Sequence, residues 1–91
     1  MQTFREVIAD FRNSGRALGH FNFSDSNQLR AIARAAGECN LPVSVGLSEG
    51  ERDYFPMTHA RALVDRYRAE GVQLFLNADH TYSLEQATQA I

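Results

Sequence analysis

The chain has 91 residues, 44% of them apolar and 22% charged, with a formal net charge of −2. That balance excludes a disordered or fibrous chain, and the length allows at most one domain with a modest core. Nine arginines and no lysine, spread without a basic cluster, exclude nucleic acid and anionic membrane as expected partners, and no apolar run approaches the roughly 18–20 residues of a membrane span.

Thr3-Phe4-Arg5-Glu6 fits a capping box. Phe4, Val7, Ile8 and Phe11 follow at the spacing of one helix face, and Gly15 ends that helix. The start has neither the charged nor the apolar block of a signal peptide. The lone Cys39 forms no internal disulfide, so the cytoplasm is the expected location.

Arg16–Phe23 reads as a first strand. Ser24 and Asp25 offer N-caps for a helix over about Ser26–Cys39, with Leu29, Ile32, Ala33 and Ala36 inward, and Asn40-Leu41-Pro42 breaks it. Pro42–Leu47 is a second strand, whose proline is tolerated at its first residue. Ser48–Pro56 reads as the longest and most polar loop, with Glu51-Arg52-Asp53 hydrated. A helix follows from about Met57 to Ala69, with Ala60, Leu63, Val64 and Tyr67 as its apolar stripe and Gly71 as its stop. The run Val72-Gln73-Leu74-Phe75-Leu76 reads as a strand buried on both faces, running into Asn77-Ala78-Asp79-His80. Adjacent strand residues point to opposite sides, so Asp79 and His80 share a site only if the backbone turns there. Ser83-Leu84-Glu85-Gln86 is a second capping box, opening a helix that runs to Ile91.

His20 is expected as a hydrogen-bonded core histidine and Cys39 as a small packing residue. His59, Arg61, Arg66 and Arg68 are expected to face solvent.

Three strand–helix units begin about 25–30 residues apart, the signature of a parallel α/β sheet. They amount to about three-eighths of a (β/α)₈ TIM barrel, which needs about 250 residues. Residues 1–91 are therefore expected to be the N-terminal part of a single barrel, cut after Ile91. Asn22, Ser48, Asp79 and His80 fall at the strands' carboxyl ends, where such sheets carry ligands and catalysis. No lysine is present for Schiff-base chemistry, so carbonyl chemistry would need a metal or residues elsewhere.

With those residues in place the sequence resembles the class II, metal-dependent fructose-bisphosphate and tagatose-bisphosphate aldolases. Leu18-Gly19-His20-Phe21-Asn22-Phe23 resembles that family's Gly-Ala-Phe-Asn-Val segment. Gln28–Glu38 resembles its first barrel helix, Pro42-Val43 through Ser48-Glu49-Gly50 its second strand and Ser-x-Gly turn, and Asn77-Ala78-Asp79-His80 its His-Leu-Asp-His strand end.

The resemblance implies reversible cleavage of a ketose 1,6-bisphosphate to dihydroxyacetone phosphate and glyceraldehyde 3-phosphate. It implies His80 as a Zn²⁺ ligand and Asp79 as the acid–base residue, with Asn22 and Ser48 at the C1 phosphate end. It also implies a homo-oligomer, dimer or tetramer, and further zinc ligands and phosphate loops beyond Ile91.

Two departures stand out. Asn77 replaces the usual histidine, and Glu51–Pro56 is more charged than the usual Gly-Ala-x-x-Tyr-x-Gly stretch. They motivate an alternative, a divergent barrel acting on another phosphorylated ketose. A third reading is a non-catalytic piece, should the chain end at Ile91.

Overall fold

A computed structural model describes residues 1–90; Ile91, to which the last expected helix was drawn, lies outside the described residues. Helix α1 (Phe4–Asn13) opens with the expected capping box, Thr3 accepting from the Glu6 amide and Glu6 accepting from the Thr3 amide. Strand β1 (His20–Asn22) leads into α2 (Ser26–Cys39), whose first turn is capped by Asp25 accepting from the Gln28 amide at 2.8 Å. Asn40, at φ 52°, closes α2 with paired bonds from its own amide to Gly37 O and from the Leu41 amide to Ala36 O. That is a Schellman ending with asparagine in the left-handed position.

Strand β2 (Val43–Leu47) runs into α3 (Glu49–Tyr54) and then α4 (Met57–Ala69). Strand β3 (Leu74–Ala78) and helix α5 (Leu84–Ala90) complete the order. The strands form one parallel sheet, β1-β2-β3, with Asn22 opposite Gly46 and Gly46 opposite Asn77. Sequence-neighbouring parallel strands joined by helices are the βα repeat expected from the spacing.

The main core lies between the sheet and helices α2 and α4. Phe23, Leu29, Ala33, Ala36, Val45, Leu47, Ala60, Val64 and Leu74 form it, all buried. The expected stripes divide within it: Leu29, Ala33 and Ala36 are fully inward, while Ile32, Leu63 and Tyr67 line its rim. A smaller cluster of Val7, Phe11 and Phe75, with Leu18 beside it, seats α1 on the sheet's other face. Phe4 stacks against Phe75 there, ring centroids 5.2 Å apart.

Four expectations are corrected. Ser48–Pro56 is not an open loop: Ser48 and Glu51 make a capping box and Glu49–Tyr54 is helical. The first strand is shorter than Arg16–Phe23, because the Arg16 amide is spent on Phe11 O while the chain is still leaving α1. Cys39 is exposed rather than packed. Arg68 does not simply face solvent: it donates to Leu74 O at 2.6 Å and its guanidinium lies 4.9 Å from the centre of the Phe75 ring.

Among the described residues no helix is long and apolar enough to cross a membrane.

Candidate active site

Alternation along the strands divides the sheet. Val45, Leu47 and Leu74 turn to the helices. His20, Asn22, Ser44, Gly46, Phe75 and Asn77 share the other face. His20 is thus exposed on this face and not a core histidine. Its Nε2 lies 3.3 Å from the Asn77 amide nitrogen, reaching diagonally over Gly46. A Cβ on Gly46 would meet that imidazole nitrogen at 2.6 Å, so the bare glycine of the middle strand is what lets β1 and β3 touch.

One step nearer the strands' carboxyl ends, a second diagonal joins the same two strands. The Asn22 side-chain amide donates to Asp79 Oδ2 at 3.2 Å. Asp79 extends the ladder past β3, its amide donating to Leu47 O at 2.8 Å. The backbone then turns: His80 has φ 48°, in the left-handed region uncommon for a residue with a Cβ. This is the turn the adjacent pair required. It brings His80 Nε2 to 3.4 Å from Asp79 Oδ2, with the imidazole 64% exposed and the carboxylate 28% exposed.

Ser48 stands at the end of β2, where its hydroxyl accepts from the Glu51 amide at 3.3 Å as the cap of α3. The Glu51 carboxylate accepts from the Ser48 amide at 2.7 Å and from the Ser24 hydroxyl. Those bonds, from Ser24 first and then the Ser48 backbone, hold its carboxyl below the usual range. Glu51 thereby ties the chain after β1 to the chain after β2.

Arg52 is the residue that sequence reasoning missed. It is buried, not hydrated. Its Nη1 donates to Leu47 O at 2.8 Å and to Asp79 O at 3.1 Å, and its Nη2 to Thr81 Oγ1 at 2.9 Å. The available signal was Ser48-Glu49-Gly50-Glu51, a capping box in the same S/T-x-x-E pattern as Thr3–Glu6. It marks the helix that carries Arg52 but not the direction in which Arg52 points.

The four expected residues therefore divide into a cluster and a neighbour. Asn22, Asp79 and His80 are in direct contact. Ser48 joins them through Glu51, whose carboxylate also draws on Asn22. The cluster can orient a carboxylate, present an exposed imidazole and offer hydroxyl and amide donors to an anion. Of its side chains the exposed His80 imidazole is the type that suits zinc. Among the described residues no three His, Cys, Asp or Glu side chains come together to hold an ion.

Residues 2–91 match the family described as class-II fructose-bisphosphate aldolase. A probable fructose-bisphosphate aldolase of Bacillus subtilis is 31% identical over 91 residues, covering 94% of this chain and 32% of that protein. The fructose-bisphosphate aldolase of Staphylococcus aureus strain Mu50 is 31% identical, covering 98% of this chain and 32% of its own length. That of Thermus caldophilus is 30% identical, covering 94% of this chain and 28% of its own. The chain thus spans about a third of the length of the curated relatives it matches.

Proposed function

The chain belongs to the class II fructose-bisphosphate aldolase family, and from that membership we propose the activity of the whole protein. It is a metal-dependent aldolase cleaving a ketose 1,6-bisphosphate reversibly to dihydroxyacetone phosphate and glyceraldehyde 3-phosphate. Residues 1–91 supply the first helix and three βα units of a cytoplasmic, homo-oligomeric (β/α)₈ barrel. The observation that carries the reading is the Asp79–His80 pair. It is turned onto one edge of a parallel sheet, with Asn22 on the carboxylate at 3.2 Å.

Asp79 is the acid–base group. In the cleavage direction its carboxylate takes the C4-hydroxyl proton as the C3–C4 bond breaks, and the C4 oxygen becomes the aldehyde carbonyl. Asn22 fixes the carboxylate oxygen it donates to, and with Ser48 faces the C1 phosphate end. His80 offers its imidazole as one zinc ligand; a catalytic site takes three protein ligands and an open position. Zinc, when bound, supplies Lewis acidity toward charge developing on the ketose oxygens.

A second reading, a divergent member acting on another phosphorylated ketose, is favoured by one observation. The segment Glu49–Tyr54 is a capped helix with Arg52 packed inward, where the family has a glycine-rich stretch.

The test is the polypeptide from its native source. Its denatured intact mass should be about three times the 10.2 kDa of these residues, as the 32% coverage of relatives implies. It should cleave fructose or tagatose bisphosphate, lose activity to a chelator and regain it with zinc. Asp79→Asn should lower kcat by about 10²–10⁴-fold. No cleavage of either sugar sinks the aldolase reading, and a mass of 10.2 kDa supports the non-catalytic one.

A further inference from the structure

We propose that Arg52 is a positioning residue that sets the turn between Asp79 and His80. A buried guanidinium needs a reason, since removing a cation from water is costly unless it is paired. Among the described residues Arg52 has no carboxylate partner. Its acceptors are two carbonyls and a hydroxyl, drawn from the end of β2, from Asp79 and from Thr81.

The carbonyl of Asp79 belongs to the peptide unit that joins Asp79 to His80. Fixing that oxygen fixes the plane about which both residues are oriented. Two further bonds complete the grip. The Asp79 amide donates to Leu47 O, the carbonyl that Arg52 also binds. The Glu49 amide donates to His80 O at 3.3 Å. Helix α3 thus holds the peptides on both sides of His80, the residue whose φ of 48° lies outside the ordinary regions. Glu51 anchors α3 in turn through Ser24 and the Ser48 amide.

A lysine could not reproduce this arrangement. Its single ammonium cannot serve three acceptors in the plane of one fork.

The inference deepens the reading of Asp79 and His80 given above and rests on it for the activity readout alone. The experiment uses the full-length protein with Arg52→Met, Arg52→Lys and Thr81→Val. Two quantities are followed: kcat against KM for fructose bisphosphate, and amide hydrogen exchange of the peptide containing Asp79–Thr81. Arg52→Met should lower kcat by about 10–100-fold with KM within about threefold, because the reacting carboxylate is displaced while binding contacts remain. Exchange at Asp79–Thr81 should quicken at least about tenfold, with the β2 and α4 amides unchanged. Arg52→Lys should recover part of both, and Thr81→Val should give a smaller change in the same direction.

Unchanged kcat and unchanged exchange in Arg52→Met overturn the proposal, as does faster exchange throughout the protein, which marks a merely structural residue. Should Arg52→Met fail to fold, Thr81→Val with no local change overturns it equally. Should the wild type cleave neither bisphosphate while Arg52→Met still frees Asp79–Thr81, the positioning role stands and the aldolase reading falls.

Discussion

The two faces of the sheet are built from alternate residues of the same strands and have opposite chemistry. Toward α2 and α4 it presents Val45, Leu47 and Leu74, each fully buried. On the other face it presents His20, Asn22, Ser44 and Asn77, with Phe75 meeting α1 at the far end. Each polar contact on this second face bridges strands: His20 to Asn77 over Gly46, and Asn22 to Asp79. Stability and chemistry are therefore separated by one residue along each strand rather than by domain or layer. A substitution should show which face it is on by which quantity it moves.

The largest effect tests that separation directly. Leu74→Ala leaves a cavity beside Val64 and Ala60 and should cost about 2–5 kcal/mol, enough to bring a marginal domain near its unfolding midpoint. Asn77→Ala, three residues on and facing the other way, should cost less than about 1 kcal/mol. Urea midpoints of the two variants give the comparison. Similar losses would mean that the polar face contributes to the core and that the division is wrong.

Gly46→Ala is next in size and acts on the polar face itself. The new Cβ would sit 2.6 Å from His20 Nε2 and 3.3 Å from Asn77 O. The imidazole must leave its place beside Asn77, whereas the β3 carbonyl needs to yield only slightly, so about 1–2 kcal/mol is expected from overpacking, most of it at the imidazole. Adding His20→Ala should restore most of it. If the double variant is as unstable as Gly46→Ala alone, the strain lies in the backbone and the diagonal contact is incidental.

What the sequence disclosed follows from how local each determinant is. Helix α4 runs over Met57–Ala69 and α2 over Ser26–Cys39, as their apolar periodicity and flanking residues imply. Asp25, Asn40 and Gly71 act on backbone within a few residues of themselves, so their meaning is readable in place. Helix α3 is six residues long with no apolar stripe and a glycine in its first turn, so periodicity had nothing to detect and only the Ser48–Glu51 box remained. The burial of Arg52 is set by acceptors at 47, 79 and 81. Nothing near Arg52 in the chain announces them. His20 differs from expectation for another reason: its place inside an apolar strand suggests a core, whereas period-two parity puts it with Asn22 on the polar face. Asp79 and His80 were legible because the motif occupies a strand end, but the turn that reconciles them depends on α3.

The smallest effect concerns the link between that edge and the rest of the sheet. Glu51 ionises more readily in the folded protein than an ordinary glutamate, near 4.5, because Ser24 and the Ser48 amide donate to its carboxylate. A carboxyl whose folded pKa is depressed binds fewer protons folded than unfolded, so stability falls as the medium is acidified. Its contribution is complete above about pH 4.5 and is lost as pH falls from there through the lower folded value. Glu51→Gln removes that titration while keeping an acceptor for the Ser48 amide, as glutamine also serves at this position of a capping box. At pH 7 the variant should lose less than about 1 kcal/mol. Other carboxylates titrate in both proteins, so the informative quantity is the difference between wild-type and Glu51→Gln urea midpoints, followed from pH 6 to pH 3. The wild-type advantage should be constant down to about pH 4.5 and shrink below it. A difference that stays flat to pH 3 would mean that the carboxylate is not held by these donors. The bond from Ser24 across to α3 would then contribute nothing to fixing the helix that carries Arg52.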